Sequence, residues 1–307
     1  MAEKPAPVAR FSAAGLLTLV GFGSGCAAGC PEGHRQEQDV CVQSVAPAPH
    51  RCSGLPTTKA DPHGEGLFAR VDVLGGDCIW MDMTEVTVEA YQRFLADTPA
   101  ESVVWEPTWC AWKTQRSEPI DNPADACSAS ITRVDQPFAP RKPIRCVDFC
   151  DAEAFCQYAG KRLCYGGGTA LQGPRGFPRE WVLACTNGLE TVYPWGDDAT
   201  GGDCNVGAPP DCVDCGAYVV GHQQLCRNAN GVTDLLGNIA EWTFSCNFVP
   251  VGQESTPSGC MVRGGGFDQP LQACSGEAVV PNDSRRGNLG FRCCSDLTTD
   301  EVLAIAD

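Results

Sequence analysis

Twenty-one cysteines in 307 residues constrain this chain more than any other feature. Thiols at that density stay unpaired in a reducing cytosol and pair as disulfides outside it, so the sequence predicts an exported, disulfide-stapled protein. The number is odd, so at least one cysteine has a fate other than an intramolecular bond. Composition adds two exclusions. Lys and Arg number 22 against 38 Asp and Glu, a formal net charge of −16. Phosphate binding needs clustered cations to release counterions, so nucleic acid is not an expected partner. Of the four histidines, His34, His50 and His63 precede the region that reads as a domain and only His222 lies within it. That argues against a histidine-based zinc or iron centre. A hydrophobic fraction of 43% is enough to bury a core.

The first ten residues carry Lys4 and Arg10 against Glu3, and an apolar run from Phe11 to Gly23 follows. The run is too short to span a bilayer comfortably and has the proportions of a signal-peptide core, so residues 1–30 read as a leader. Gly23-Ser24-Gly25-Cys26 and Ala27-Ala28-Gly29-Cys30 both place small residues before a cysteine, which resembles a bacterial lipobox. Plain secretion and an uncleaved anchor are the other two readings, and all three export the chain. Parity favours lipidation of Cys26, which leaves an even number of cysteines to pair. Lipidation of Cys30 removes Cys26 with the leader and leaves one thiol free. The expected location is the cell envelope, with the membrane contacted only through an N-terminal lipid anchor.

Residues 31–65 are polar and rich in Pro and Gly, with only Cys41 and Cys52, and read as a tether or small stapled lead-in. Residues 66–295 alternate short apolar stretches with Gly, Pro and Asp turns and read as one domain, followed by a tail over 296–307. The spacing predicts a helix over 86–95, with Val88, Tyr91 and Leu95 on one face and Thr84 or Thr87 as its cap. It predicts a second over 150–160, with Ala152, Phe155, Cys156 and Ala159 inward and Gly160 as its stop. A short third helix is expected over 179–185. So little regular backbone implies that cross-links carry stability, each worth roughly 2–4 kcal/mol.

Several segments, in order, resemble the sulfatase-modifying-factor or formylglycine-generating-enzyme domain family. They are Met83-Thr84-Glu85-Val86-Thr87 with Tyr91 and Phe94; Pro143-Ile144-Arg145-Cys146-Val147; and Asp151-Ala152 with Tyr158-Ala159-Gly160-Lys161-Arg162-Leu163. Tyr193-Pro194-Trp195-Gly196-Asp197 with Cys204-Asn205 follows, then Gly231 to Trp242, which reads GVTDLLGNIAEW. Val262-Arg263-Gly264-Gly265-Gly266-Phe267 and Asn288-Leu289-Gly290-Phe291-Arg292 close the series. The resemblance implies an irregular, loop-rich α+β fold of the C-type-lectin-like superfamily.

The same resemblance implies metal sites. An amide, a carboxylate and a glycine-loosened backbone between Asp234 and Trp242 suit calcium, a hard cation that takes six to eight oxygens. By resemblance its ligands are Glu241 and backbone oxygens near Leu236, Gly237 and Ile239; the other reading is a tight turn in which Asn238 caps backbone groups. A second family calcium site maps onto Asn205 and Val206, with Asp214 or Asp211 as its acid. Cys212-Val213-Asp214-Cys215 lacks a second pair and reads as disulfide staples rather than zinc ligands. Adjacent Cys293 and Cys294 are expected to take separate partners. Lys161-Arg162 reads as a structural or solvated pair.

Formylglycine-forming members of the family use two cysteines after R-G-G-S, a soft thiolate pair that binds copper(I). Aligned from Arg263, the first position is Gln269, the second is Cys274, and the serine is Gly266. A carboxamide cannot serve as a thiolate. The expectation is therefore a calcium-stabilised binding or structural module of the envelope, holding an exported protein, a peptide or a glycan. The alternative is an oxidoreductase that uses Cys274 to oxidise a cysteine of an exported protein, with copper as its cofactor.

Overall fold

The computed structural model describes residues 34–37, 40–43, 51–62, 66–73, 77–98, 110, 112–113, 139–167, 179–188, 191–208, 216–246 and 259–304. The expected leader with Cys26 and Cys30, and the Cys212–Cys215 segment with Asp211 and Asp214, lie outside the described residues. The chain divides into two compact units, Met1–Ala48 and Pro49–Asp307. In the first, β1 (His34–Glu37) and β2 (Val40–Gln43) pair antiparallel, His34 opposite Gln43.

The second unit holds two sheets. One runs in the order β3 (Thr58–Ala60), β4 (Leu67–Asp72), β5 (Cys78–Asp82), β11 (Cys293–Ser295), β6 (Arg162–Leu163), every neighbour antiparallel. The other runs β10 (Leu289–Phe291), β7 (Ala240–Cys246), β8 (Gly259–Arg263), β9 (Ala278–Pro281). Only β10 and β7 are parallel in it. Arg292 alone separates β10 from β11, so the chain crosses from one sheet to the other at that residue. The α+β, loop-rich architecture is the one expected.

Helix α1 (Val88–Asp97) starts two residues later than the spacing suggests, because Thr87 caps it by accepting the Ala90 amide at 3.2 Å. Val86 stays extended: its amide donates to Phe291 O and its carbonyl accepts from Ile144 N. The buried face is Val88, Ala90, Tyr91 and Phe94, whereas Leu95 is half-buried. Helix α2 (Phe149–Tyr158) is capped by Asp148, which accepts the Asp151 amide. It closes in a Schellman motif, Lys161 N to Cys156 O and Gly160 N to Gln157 O, with Gly160 at φ +66°. Helix α3 (Glu180–Cys185) is fully buried.

Two hydrophobic clusters result. In the first, Tyr91, Phe94 and Phe155 of α1 and α2 pack edge-on and stacked, and Phe155 meets Phe291 with ring centres 5.5 Å apart. The second gathers Met81, Trp181, Leu235 and Leu236 around the sulfurs of Cys185, Cys274, Cys164 and Cys294. Seven disulfides join described residues: Cys52–Cys78, Cys110–Cys150, Cys156–Cys293, Cys164–Cys294, Cys185–Cys274, Cys204–Cys226 and Cys246–Cys260. Cys293 and Cys294 do take separate partners, because consecutive strand residues face opposite sides of the sheet.

The expected boundaries move at both ends. Residues 51–61 are not tether: β3 adds a strand to the sheet, Cys52 is bonded to Cys78, and Arg70 donates to Cys52 O and Leu55 O. Nor are residues 299–304 a free tail. Helix α4 (Thr299–Ala304) carries Glu301, which binds Lys59 at 2.7 Å and the Trp80 indole at 3.1 Å. Lys161 and Arg162 are structural and not solvated. Lys161 binds Asp61 at 2.6 Å and Asp82 at 2.8 Å, and Arg162 forks onto Glu180. A buried ammonium persists only when it is paired and hydrogen-bonded, and here two carboxylates accept from it.

Candidate functional site

The segment from Val232 to Trp242 is the junction of the second unit. Three of its residues adopt left-handed backbone: Asp234 at φ +56°, Gly237 at +78° and Asn238 at +57°. Gly237 is required there, since a Cβ would lie 2.5 Å from Asn205 O as well as in a strained conformation. The resulting bend brings Asn238 N onto Asn205 O at 2.9 Å and Gly237 N onto Gly264 O at 3.0 Å. The Asn238 side chain accepts from Tyr218 N and Asn205 Nδ2 and donates to Glu85 Oε1 at 2.9 Å. One buried amide thus ties together three of the segments that looked separate in sequence.

Glu241 follows on β7 with no exposure. Arg292 grips both its oxygens, Nε at 3.0 and 2.9 Å and Nη2 at 2.7 Å, and the Trp181 indole donates to Oε2 at 2.8 Å. Arg292 also donates to Asp82 O and Thr233 O. Burial and the neighbouring Asp234 push the Glu85 carboxyl well above its ordinary range, and burial raises Asp234 to about 6. Three buried carboxyls therefore share one guanidinium.

This arrangement does not fit calcium at Glu241. Both oxygens are committed, and a dication there would face a guanidinium at hydrogen-bond distance. Leu236, Gly237 and Ile239 instead hold a tight turn in which the Asn238 side chain caps a backbone group, accepting from Tyr218 N. At the other expected site, Asn205 gives its carbonyl to Asn238 and its Nδ2 to Gly216 O at 2.9 Å, beside half-buried Val206. Among the described residues no three His, Cys, Asp or Glu side chains converge as metal ligands.

The R-G-G cradle leads to the positions where the family places its cysteines. Gln269 N donates to Gly266 O at 3.0 Å, and its Oε1 accepts from Gln272 Nε2 at 3.3 Å. A Cβ at Gly266 would lie 2.9 Å from Asn288 Cβ and 3.1 Å from Asp268 Oδ1. The serine of the resembling motif therefore does not fit beside this Asn288–Asp268 pair, which is bonded at 2.8 Å. Cys274 is wholly buried and bonded to Cys185, which ends α3. A disulfide sulfur offers no thiolate and position 269 offers an amide, so the residues present do not fit a two-thiolate copper(I) centre. What remains is a small cavity of about 40 Å³. Gln269, Gln272, Arg286 and Asn288 line it over an apolar floor of Val262 and Leu289.

Of the residues expected as calcium ligands, Asn205 and Val206 pack against the turn at Gly237, Glu241 lies beyond it on β7 and Asp214 lies outside the described residues, while Gln269 and Cys274 follow the R-G-G cradle. Sequence reasoning missed Glu85, Arg292 and Trp181 as partners of the Asp234–Glu241 segment, and Cys185 as the partner of Cys274. The signal for the first was present: a glutamate and an arginine inside recognised motifs, both too polar to be buried alone.

A family model described as the sulfatase-modifying factor enzyme 1-like domain matches residues 69–297. The formylglycine-generating enzyme of Streptomyces coelicolor is 29% identical over 180 residues, 51% of this chain and 54% of that one. The inactive C-alpha-formylglycine-generating enzyme 2 of Mus musculus is 31% identical over 167 residues, 50% of this chain and 49% of that one. The chain spans about half the length of these curated relatives. Among solved structures, PvdO from Pseudomonas aeruginosa matches with a TM-score of 0.54 at 17% identity, covering 82% of this chain and all of its own. CarF matches at 0.50 and 18% identity, over 75% of this chain and 99% of its own.

Proposed function

This chain belongs to the sulfatase-modifying factor enzyme 1-like family, and from that premise we propose that it is a binding module of the cell envelope, without the oxidase chemistry. The observation that carries the reading is the state of the two family positions: an amide at Gln269 and a disulfide at Cys274. The Gln269–Gln272–Arg286–Asn288 cavity supplies amide donors and acceptors and one cation over an apolar floor. At about 40 Å³ the cavity takes one projecting amide or hydroxyl group, as a peptide or glycan lying across this face would offer. Export, with a lipid on Cys26, belongs to the same proposal and is supported by the disulfide density. Calcium enters it only at Asn205 and Val206, as a structural ion whose removal by chelator would lower the melting temperature.

The test pairs chemistry with binding. The mature protein, incubated with copper(I), oxygen and a cysteine-containing peptide, should give no aldehyde product by mass spectrometry. Thiol titration of the unfolded, unreduced chain should map no free thiol to Cys274. Peptide and glycan arrays should then show ligands whose binding falls at least tenfold in Gln269→Ala and Arg286→Ala. Turnover of the cysteine peptide, or a reactive thiol at Cys274, overturns the reading in favour of the oxidoreductase.

A further inference from the structure

Cations are scarce in this chain, 22 Lys and Arg against 38 Asp and Glu, yet four of them meet beside the Gln269 cavity. Lys142 and Arg145 come from the segment before α2, Arg285 and Arg286 from the turn before β10. Three bonds hold the two segments together: Arg145 Nη1 donates to Gly287 O at 2.8 Å, Arg285 Nε to Cys146 O at 2.7 Å, and Cys146 N to Arg286 O at 3.1 Å. The Arg286 side chain is left outside them. It is exposed, lines the cavity, and has no hydrogen-bond or ion-pair partner among the described residues. Burial, and then the Arg145 charge, pull the Lys142 ammonium below its ordinary range, as expected where cations crowd. Two carboxylates lie near: Asp268, which accepts from Asn288 Nδ2 with both oxygens, and exposed Asp283. Within the cavity, Gln269 Oε1 is taken by Gln272 and Asn288 Nδ2 by Asp268, which leaves the Arg286 guanidinium and Gln269 Nε2 as donors. Amide oxygens of Gln272 and Asn288 remain as acceptors, but among the described residues the one charge on the wall is positive.

At about 10–15 Å³ for one water, a cavity of about 40 Å³ admits about three heavy atoms, the size of a carboxylate. We infer, on the basis of the binding role given to this cavity above, that the group it receives is the side-chain carboxylate of a glutamate in an acidic peptide, held by the Arg286 guanidinium and Gln269 Nε2. A charge-assisted hydrogen bond is about twice as strong as one between neutral groups, so the unpaired guanidinium selects a carboxylate over an amide of the same shape. Two methylenes let a glutamate reach in while its backbone stays outside. A uronate bears its carboxylate directly on a sugar ring, which is too wide to follow. Lys142, Arg145 and Arg285 add attraction for further acidic residues of the same peptide.

Fluorescence anisotropy with the full, disulfide-intact chain tests this, using labelled octapeptides that alternate glycine with glutamate, glutamine or lysine, and an oligogalacturonate as a fourth probe. The glutamate peptide should bind about tenfold tighter than the glutamine peptide, the difference one charge-assisted contact makes. Raising the ionic strength from about 10 to about 100 mM cuts the screening length roughly threefold and should weaken that binding. Arg286 is exposed, so its variants fold. Arg286→Gln should abolish the preference for glutamate, and Arg286→Glu should turn it toward the lysine peptide, which a structural role alone would not do. Glutamine peptide binding as tightly as glutamate, and still lost in Gln269→Ala, overturns the carboxylate while the cavity's binding role stands. Glutamate binding unchanged in Arg286→Gln, tighter binding of the oligogalacturonate, or no binding of the glutamate peptide to the folded wild type also overturns it. In the last case the cavity's binding role rests on the neutral ligands of the arrays.

Discussion

Removing Arg292 should cost about 3–5 kcal/mol of stability. Its guanidinium is 1% exposed and makes three contacts of 2.7–3.0 Å to Glu241, itself fully buried. In Arg292→Leu the carboxylate keeps only the Trp181 indole at 2.8 Å, and the carbonyls of Asp82 and Thr233 lose their donor. Breaking a buried pair from one side costs about 3–5 kcal/mol, because an uncompensated charge is left behind. Each 1.4 kcal/mol is about a factor of ten in the folding constant, so the unfolded fraction should rise by roughly two to three and a half orders of magnitude. Urea unfolding with disulfides intact, read by tryptophan fluorescence, measures this directly because Trp181 and Trp242 flank the pair. The double variant Arg292→Leu/Glu241→Gln removes the stranded charge and keeps an acceptor for Trp181, so it should recover about 2 kcal/mol or more of the loss. A single variant costing under about 1 kcal/mol, or a double variant no more stable than the single, refutes the argument that stranded charge is the cause.

Other outcomes follow from the same geometry. Cys185→Ser/Cys274→Ala should lower stability by about 2–4 kcal/mol, since the bond closes a span of 89 residues, measured by the same urea titration. Gly237→Ala should destabilise by more than about 2 kcal/mol, as its Cβ meets Asn205 O at 2.5 Å in left-handed backbone; a thermal midpoint within 2 °C of wild type, roughly the shift that 1 kcal/mol gives, would contradict this. Asp234 is raised by burial to about 6 from an ordinary 3.8, so the folded chain retains a proton that the unfolded chain has released. Its contribution to stability should fall as pH rises through that window, and Asp234→Asn should flatten the slope of unfolding free energy between pH 4 and 6. Thr87→Ala should cost about 1 kcal/mol through loss of the α1 cap, seen as a shift in urea midpoint without a change in slope.

Short-range physics made much of this protein legible in its sequence. Cysteine density announced a stapled fold, and helical spacing with capping residues placed α1, α2 and α3 to within two or three residues at each end. Motif order gave the family, and Gln269 and Gly266 stand where the resembling motif carries a cysteine and a serine. These readings succeed because they depend on residue type and local spacing, which a linear chain displays openly. Only the tertiary structure decided which distant groups meet. Glu241 looks like a hard-cation ligand until Arg292, 51 positions away, is seen forked onto it. Cys274 looks like a surviving catalytic thiol until Cys185 is found bonded to it. Residues 51–61 look like a tether until Lys161 and β4 claim them. In each case burial forces a charge, a sulfur or a strand edge to find a partner, and the partner's identity is set by how the chain folds back on itself, which no local pattern records.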